Sequence, residues 1–508
     1  MTDGSSGMTP TSRVGSFTAA QSTDIDPEEI LRERRAAVVT ASGPIARARI
    51  ETLVDAGTFV EVGTFTHAAD GQAGSTGDAR VGGTATIDGR TVVVAADNAA
   101  VLAGTSAQVG NERLERLMNL ALTKGVPFVY LADGGQLRPT EAAGAEGLSE
   151  LGSFTAFCTR ERRVPMATAI LGDSADASAF LATTGDFTVL VRGAAFTLTP
   201  GADPPDPERN GLVDDVVDTV EGALAAVRCF LSFLPSSAWA TPPRADERPG
   251  THELDHGLAD MVPRRRTRAY DMRKVLTRLV DPAPGEPDDA PGELFELRPA
   301  SGRGLVTALA RIDGWPVAIF ASNPMYQAGA LDPAACEKGI RLLTLCDAYQ
   351  VPAIFLQDVV GFLVGRQVEH GRLLFRAVRF LNALYASSCP TLTVLVRKAF
   401  GLAYETLNGR KYHTGGLYAW AGAEIGFMDP EIGVNVLYGD RKTDDEKRAM
   451  VTELREGTSP FDAAGVMNID EVIDPAATRQ ILARDLATLA GRQVPPVADR
   501  VLRLWPTC

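Results

Sequence analysis

The stretch IDGRTVVVAADNAAVLAG at residues 87–104 occurs a second time as IDGWPVAIFASNPMYQAG at residues 312–329. The two stretches are offset by 225 positions (312 minus 87), and the offset holds without a gap as far as Pro165 and Pro390. A repeat of this length indicates one structural unit used twice. We therefore predict two homologous halves.

Each half alternates short apolar runs with segments of helical period. The apolar runs predict strands at residues 91–95, 126–131, 166–171, 317–320, 351–356 and 391–396. Strands that alternate with helices form mostly parallel sheets through right-handed crossovers. The sequence therefore predicts an α/β fold whose functional groups lie just past the strand ends.

Changes in composition divide the chain into four parts. Residues 1–26 are rich in Ser, Thr and Gly and predict a disordered tail. Residues 27–234 form the first half, the Pro-rich segment 235–268 is interpreted as a linker, and residues 269–508 form the second half.

The overall composition excludes several classes of protein. With 508 residues, 45% of them hydrophobic, and a mean hydropathy of -0.01, the chain is predicted to be a globular protein with more than one core. A net charge of -14 disfavours nucleic acid and anionic lipid as partners. No stretch approaches the roughly 20 apolar residues of a membrane span, so we expect a cytoplasmic protein.

Metal and disulfide chemistry have little support in the sequence. The six cysteines are scattered and include no C-x-x-C pair, so neither disulfides nor a zinc site is expected. HELDH at residues 252–256 matches the zinc pattern H-E-x-x-H, which requires a helix. Pro249, Gly250 and Gly257 flank it, so we interpret it as part of the linker, and we expect no metal.

Two strand ends of the second half lead into glycine-containing turns, QDVVGFLVG (357–365) and RKAFGLAY (397–404). Such turns expose backbone N–H groups that can bind an anion or a developing oxyanion. The same pattern also fits a tight turn without a ligand. The basic pair Arg397-Lys398 could contact phosphates or a carrier protein, or it could simply be solvated. The basic run 264–266 is expected to be exposed.

Several ordered motifs resemble the carboxyltransferase (β) subunits of biotin-dependent acyl-CoA carboxylases, such as propionyl-CoA and acetyl-CoA carboxylase. They are RARIETLVDAGTFVEV (47–62), LDPAACEKGIRLLTLCDAYQVPAIFLQDVVGFLVG (331–365), RKAFGLAY (397–404), AWAGAEIGFMDPE (419–431) and IDEVIDPAATRQIL (469–482). The resemblance covers nearly the whole chain after residue 27. It implies two tandem crotonase-fold domains, of the ClpP/crotonase-like ββα superhelix type.

The resemblance also implies an activity and its partners. A carboxyl group moves from biotin, held on a separate carrier protein, to the α-carbon of an acyl-CoA, while backbone oxyanion holes stabilise the developing charge. The N-terminal domain is then the acyl-CoA side and the C-terminal domain the biotin side. A biotin carboxylase and biotin carrier subunit is the expected partner. The expected assembly is a homo-hexamer, as a trimer of dimers, or a mixed hexamer with a paralogue.

On the biotin side, the family's Tyr-Gly-Gly-Ala-Tyr corresponds to FGLAY at 400–404. The resemblance implies that the N–H groups of Leu402 and Ala403, in the turn at Gly401, hold the ureido oxygen of biotin. Leu402 replaces a glycine, which adds a side chain where φ is expected to be unfavourable or where biotin would lie. Further residues carried over to this side are Gly361, Phe362, Phe400, Tyr404 and Glu405, the last at a position that influences acyl specificity.

On the acyl-CoA side, the family's Ala-Gly-Gly-Ala is replaced by ADAS at 175–178. The resemblance implies that the N–H groups of Ala177 and Ser178 hold the thioester oxygen. Asp176 is then expected to place a carboxylate beside a developing enolate and to repel it. The acyl-CoA-side residues carried over are Ala103, Gly104, Gly134, Gly135 and Asp176.

These departures leave two alternatives open. One is a diverged crotonase-fold enzyme that acts on acyl thioesters without biotin, by decarboxylation or acyl transfer. The other is a catalytically weak structural subunit in a mixed hexamer. The Asp176 and Leu402 replacements favour the alternatives, whereas the motifs of the second half favour the carboxyltransferase.

Overall fold

Two sheets built to the same plan form the framework of the protein. The computed structural model describes residues 26–69, 71, 74–134, 137–145, 154–246, 253–409 and 415–505, so residues 1–25 of the predicted tail lie outside the described residues. The strands of the first sheet are β1 (Val60–Glu61), β2 (Arg80–Ile87), β3 (Arg90–Asp97), β4 (Phe128–Gly134), β5 (Met166–Ala175), β6 (Phe187–Val191), β7 (Phe196–Thr197) and β8 (Asp215–Val217). Those of the second are β9 (Phe295–Glu296), β10 (Leu305–Ile312), β11 (Trp315–Ser322), β12 (Ala353–Val359), β13 (Thr391–Phe400), β14 (Leu417–Trp420), β15 (Glu424–Gly426) and β16 (Glu471–Ile473).

Helices connect and cover the strands. In the first half they are α1 (Pro27–Ser42), α2 (Ile45–Leu53), α3 (Gln108–Lys124), α4 (Pro139–Ala142), α5 (Thr155–Cys158), α6 (Asp176–Thr183) and α7 (Val220–Phe233). In the second they are α8 (Met272–Leu279), α9 (Pro333–Tyr349), α10 (Arg366–His370), α11 (Leu373–Ala386), α12 (Gly401–Thr406), α13 (Pro430–Tyr438), α14 (Asp444–Glu456), α15 (Pro460–Gly465) and α16 (Thr478–Ala490).

The sheets confirm the predicted parallel α/β architecture. The first has the order β1-β2-β3-β4-β5-β6-β8, with β7 beside β5, and the second has the order β9-β10-β11-β12-β13-β14-β16, with β15 beside β13. In each sheet the first three strands are antiparallel and the following strands are parallel. Strands β2, β4 and β5 begin 225 residues before β10, β12 and β13, so the sequence offset is also a structural one.

The repeat places the two predicted turns at equivalent positions. β5 ends at Ala175 and leads directly into α6, as β13 ends at Phe400 and leads directly into α12. Both strands are central in their sheets, with a parallel neighbour on each side. The turns therefore lie at the carboxyl ends of buried strands, where ligands bind in sheets of this kind.

Packed aromatic side chains join the two halves. Phe187 of β6 stacks on Phe230 of α7 with ring centroids 4.8 Å apart, and Phe295 of the second half lies 5.3 Å from Phe187. These rings adjoin a continuous cluster of buried apolar side chains drawn from both halves. Burial of apolar area, at about 25 cal/mol per Å², is the main term that holds such an interface together.

Buried ion pairs reinforce the same interface. The Asp214 carboxylate accepts hydrogen bonds from Arg298 Nε at 3.0 Å and from Arg341 Nη2 at 2.6 Å. Burial alone would raise the pKa of Asp214, but the two guanidinium groups outweigh it, and the pKa lies below its ordinary value. Burial would also raise the pKa of Asp186, but the Arg160 guanidinium outweighs burial, so the pKa of Asp186 is lowered. Tyr349 of the second half donates to Asp186 at 2.9 Å.

No helix in the described part of the chain is long and apolar enough to cross a membrane.

These carboxylates predict how stability depends on pH. Because their folded-state pKa values are lowered, their contribution is present above pH ~4 and is lost as the pH falls through the folded-state values. Asp214→Asn should lower the free energy of unfolding at pH 7 by roughly 3 kcal/mol or more, because Arg341 and Arg298 lose a buried partner. It should also flatten the loss of stability between pH 5 and pH 3. Urea unfolding followed by fluorescence measures both effects.

The matched control is the exposed pair Arg192–Glu208. Glu208→Gln should change the free energy of unfolding by about 1 kcal/mol or less, because exposed ion pairs contribute little. Equal losses in the two variants would contradict a stabilising role for the buried pair.

Candidate functional site

The turn of the first half is held by hydrogen bonds to two neighbouring segments. Asp176 opens α6, its backbone N–H donates to Leu198 O at 3.1 Å, and its carboxylate accepts from the N–H of Leu137 at 3.4 Å. Ala177 and Ser178 follow in the first turn of the helix, where N–H groups have no intrahelical acceptor. The structure therefore places these two predicted donors together.

The backbone of Asp176 has a conformation that usually requires glycine. Its φ is 56°, and the equivalent residue of the second half, Gly401, has a φ of 64°. A left-handed backbone costs a non-glycine residue roughly 1–2 kcal/mol, although Asp tolerates it better than most. The turn thus keeps the geometry of the glycine-containing turn, and the Asp176 carboxylate is directed to the segment around Leu137.

The other predicted acyl-CoA-side residues lie where two backbone segments approach closely. Gly104 has a φ of 74°, and a Cβ built on it would lie 3.1 Å from Asp133 O and 3.2 Å from Gly134 Cα. Gly134 has a φ of 107°, and Ala103, next to Gly104, has a φ of 53°. Ala103, Gly104 and Gly134 are therefore brought together, whereas Gly135 lies outside the described residues.

An arginine that the sequence analysis did not identify fixes the segment after Gly134. Arg138 donates from Nη2 to Asp78 Oδ1 at 2.6 Å and to Thr105 O at 2.7 Å, and its backbone N–H donates to Ser106 O. Burial opposes its charge, but Asp78 and Glu141 outweigh it and raise the pKa of Arg138. Local sequence gives no signal for this contact, because Asp78 lies 60 residues away.

The turn of the second half has its glycine at the position that needs it. A Cβ built on Gly401 would lie 3.1 Å from Phe427 O, in addition to the left-handed φ. Leu402 lies within α12 and does not have a positive φ, so the expectation of an unfavourable φ at Leu402 is wrong. Its side chain is 62% exposed, because it points away from the core.

A cavity of about 830 Å³ lies against this turn. Gly401, Leu402, Tyr404 and Glu405 line one side of it. The opposite wall comes from residues 425–427 and 457–468, which are distant in sequence; it includes Ile425, Gly426, Phe427, Ser459, Asp462, Ala463, Val466, Met467 and Asn468. Phe427 is 87% exposed, so the wall is open, and it combines apolar side chains with the polar side chains of Ser459, Asp462 and Asn468.

The remaining predicted biotin-side residues do not line this cavity. Phe400 and Ala403 are fully buried beneath the turn, so their side chains support it from the core. Gly361 has a φ of 141° and accepts from the N–H of Leu331 at 3.1 Å. Phe362, which follows Gly361, packs against the apolar cluster of both halves.

The basic residues near this turn mostly form ion pairs, so they are not simply solvated side chains. Arg397 is buried and donates from Nε to Asp358 Oδ2 at 2.9 Å, and the Tyr270 hydroxyl donates to the same oxygen at 2.9 Å. Arg266 of the linker donates to Glu424 and Asp429, so the run 264–266 is not uniformly exposed. Burial lowers the pKa of the adjacent Lys398.

Within the described residues there is no group of three or more His, Cys, Asp or Glu side chains arranged to hold a metal ion. The HELDH segment is not helical over residues 253–256, and His252 lies outside the described residues. Asp255 of this segment pairs with Arg278, so it fastens the linker to α8. The zinc pattern therefore lacks the helix that would bring its two histidines together.

Comparison with known proteins identifies relatives with this architecture. The profile of the family described as "Carboxyl transferase domain" matches residues 41–203 and 207–500. The carboxyltransferase subunit of propionyl-CoA carboxylase from Haloferax mediterranei is 30% identical over 435 residues, which cover 80% of this chain and 82% of the relative. The 12S subunit of methylmalonyl-CoA carboxyltransferase from Propionibacterium freudenreichii subsp. shermanii is 30% identical over 436 residues, which cover 80% of each chain.

Solved structures agree with the sequence relatives. The crystal structure of transcarboxylase 12S, described as a hexamer with methylmalonyl-coenzyme A and methylmalonic acid bound, superposes with a TM-score of 0.84 at 27% identity. The match covers 94% of this chain and 98% of that one. The two sheets and their turns are thus two tandem crotonase-fold domains, and the chain belongs to the carboxyl transferase domain family.

Proposed function

We propose that this chain is the carboxyltransferase subunit of a biotin-dependent acyl-CoA carboxylase. It moves a carboxyl group from carboxybiotin to the α-carbon of an acyl-CoA. The observation that carries the proposal is the pair of equivalent turns, opened by Asp176 and Gly401 with the same left-handed backbone. Each turn presents two backbone N–H groups of a first helical turn, which suits two enolate oxygens in one reaction.

The two halves take different parts of this reaction. In the proposed division, the domain of residues 27–234 binds acyl-CoA and the domain of residues 269–508 binds biotin, with residues 235–268 as the linker. The large cavity beside Gly401 supports the second assignment. The close backbone approach of Gly104 and Gly134 supports the first, because it fixes the end of β4, where Gly134 pairs with Ser174 just before the acyl-side turn.

The cavity beside Gly401 fits biotin chemically. Its apolar wall, with Leu402, Phe427, Val466 and Met467, suits a neutral bicyclic ring and an alkyl chain. The N–H groups of Leu402 and Ala403 would hold the ureido oxygen, and replacing glycine with Leu402 keeps both donors. Biotin supplies the carboxyl group when it is bound, and the chain's own residues orient it.

On the acyl-CoA side, the N–H groups of Ala177 and Ser178 would hold the thioester oxygen as negative charge develops on it. The Asp176 carboxylate accepts a hydrogen bond from the Leu137 N–H at 3.4 Å, which orients it toward that segment. Binding that strengthens as charge develops lowers the barrier to removal of the α-proton.

The proposed partners follow from the exposed apolar surface and from the relatives. Exposed apolar side chains concentrate in the last hundred residues of the second domain, at Phe427, Ile432, Val436, Phe461 and Met467. A surface of this kind is typical of a subunit interface. We therefore include in the proposal a hexamer, of this chain alone or with a paralogue, that works in the cytoplasm with a biotin carboxylase and biotin carrier subunit.

A second candidate function is decarboxylation of an acyl thioester without biotin. Asp176 favours it, because this residue replaces a glycine of the carboxyltransferase motif at the acyl-side turn. The biotin-side cavity favours the carboxyltransferase, since decarboxylation without biotin does not require a second turn.

Carboxyl transfer by the chain can be measured directly. The purified chain, given a biotin carrier protein labelled with ¹⁴C-carboxyl and propionyl-CoA, should transfer the label to an acid-stable acyl-CoA product. Loss of label from the carrier should require the acyl-CoA. Transfer only after an intact paralogue is added would contradict the proposal and support a structural subunit. Release of CO2 from a malonyl-type thioester without any carrier would support the second candidate.

Two variants distinguish the roles of Gly401 and Leu402 in the biotin-side turn. Gly401→Ala should lower the free energy of unfolding by roughly 1–2 kcal/mol, because Ala must adopt the left-handed φ. It should also slow carboxyl transfer about tenfold or more through displaced N–H donors. Thermal unfolding and initial rates measure these effects.

Leu402→Ala is the matched control. It keeps the backbone donor and a helical φ, so its free energy of unfolding should change by about 0.5 kcal/mol or less. A loss as large as that of Gly401→Ala would show that the left-handed φ is not the constraint on this turn.

A further inference from the structure

A buried polar cluster lies directly beneath the acyl-side turn. The Asp97 carboxylate, at the end of β3, accepts from the Tyr130 hydroxyl at 2.8 Å and from the Ser178 hydroxyl at 2.9 Å through the same oxygen. Its other oxygen accepts from Arg80 Nε at 3.2 Å. The N–H of Asp133 also donates to Asp97, at 3.3 Å. One carboxylate thus connects three strands with the first turn of α6.

The four side chains of this cluster are each at most 2% exposed; they are Arg80, Asp97, Tyr130 and Ser178. Burial and the Asp97 carboxylate raise the pKa of Tyr130 well above its ordinary value, so the phenol remains a donor. Arg80 is held in turn by Asn111 Oδ1 at 2.9 Å. A charged network this deep is costly unless its members are paired, and removing one member is strongly destabilising.

The second domain does without this cluster. At the positions 225 residues later, Arg80, Asp97, Asn111, Tyr130 and Ser178 are replaced by Leu305, Ser322, Cys336, Phe355 and Ala403. The first turn of α12 is therefore packed through the apolar side chain of Ala403, although buried polar groups such as Gln357, which donates to Leu407 O at 2.7 Å, lie nearby. A carboxylate bonded to the first helical turn is not a requirement of the fold, and its presence in the first domain needs a local reason.

The local reason lies in the residue that opens each turn. Gly401 adopts a left-handed φ freely, but Asp176 does not, and such a conformation persists only where the surroundings impose it. Ser178, two residues after Asp176, is the point at which the cluster holds the chain. Hydrogen bonds to a buried carboxylate are directional and charge-assisted, so they fix the helix start more closely than apolar contact does.

We propose that Asp97, Tyr130 and Ser178 are positioning residues that hold the acyl-side turn in its left-handed, oxyanion-binding conformation in the absence of glycine. The inference rests on the proposed function for the role of the N–H groups, but the anchoring itself does not. Ser178 therefore acts through its backbone on the thioester and through its hydroxyl on the position of that backbone. Tertiary contacts of these three side chains hold the backbone conformation that glycine would adopt freely.

The test is a double-mutant cycle between Ser178→Ala and Asp176→Gly in the full chain. With Asp176 present, Ser178→Ala should lower kcat for acyl-CoA carboxylation at least tenfold, and KM for the acyl-CoA should stay within twofold. In the Asp176→Gly background, the same change should lower kcat less than twofold, because glycine no longer needs the anchor. Equal factors in the two backgrounds would overturn the proposal.

A second readout does not depend on activity. Amide hydrogen exchange over residues 175–183 should accelerate at least tenfold in Ser178→Ala, and less than twofold when Asp176→Gly is also present. If the wild-type chain transfers no carboxyl group but this coupling is measured, the proposed function fails and the anchor stands. If carboxyl transfer is measured without the coupling, the anchor fails.

Two further variants complete the design. Tyr130→Phe removes one hydroxyl of the same cluster, and its effects on kcat and on hydrogen exchange should depend on Asp176 in the same way. This variant keeps the proposal testable if Ser178→Ala does not fold. Thr307→Val removes a buried hydroxyl that donates to Leu297 O at 2.9 Å in the second domain. It should leave exchange over residues 175–183 unchanged, and an equal acceleration there would mean that the effect is general destabilisation.

Discussion

A central strand of each sheet ends in the core, and the chain must enter a helix within one residue. This constraint selects a left-handed backbone at Asp176 and at Gly401. The two residues that follow each turn then lie in the first turn of a helix, where their N–H groups have no intrahelical acceptor. In the proposed reaction these backbone dipoles, fixed by the fold, would need little reorganisation when charge develops on a thioester or ureido oxygen.

The two domains satisfy this constraint by different means. The second domain uses glycine and packs Phe400 and Ala403 beneath the turn. The first uses Asp176 and places a charged, hydrogen-bonded cluster beneath it. A tandem repeat offers this comparison within one chain, because equivalent positions share a backbone and differ in side chains. It shows that loss of a glycine motif is compatible with an intact turn.

Much of the framework could be predicted from the sequence because its signals are local. Apolar runs located the central strands, and the repeated offset paired β2, β4 and β5 with their counterparts. The turn residues were also located approximately, since each lies five residues after the end of a predicted strand, and the strands themselves run on to Ala175 and Phe400. The partners of Arg138, Arg266 and Arg397 could not be predicted, because their carboxylates lie 60, more than 150 and 39 residues away.

By itself, the sequence determined that one α/β unit occurs twice and that its turns carry Asp176-Ala177 and Gly401-Leu402. Only the tertiary structure decided what those residues do. It gives Leu402 a helical backbone and an exposed side chain, forms the cavity wall from residues 457–468, and brings Asp97 under Ser178. The physical reason is that dihedral angles at a turn, burial and ion pairing depend on neighbours in space, which strand order brings together from distant parts of the chain.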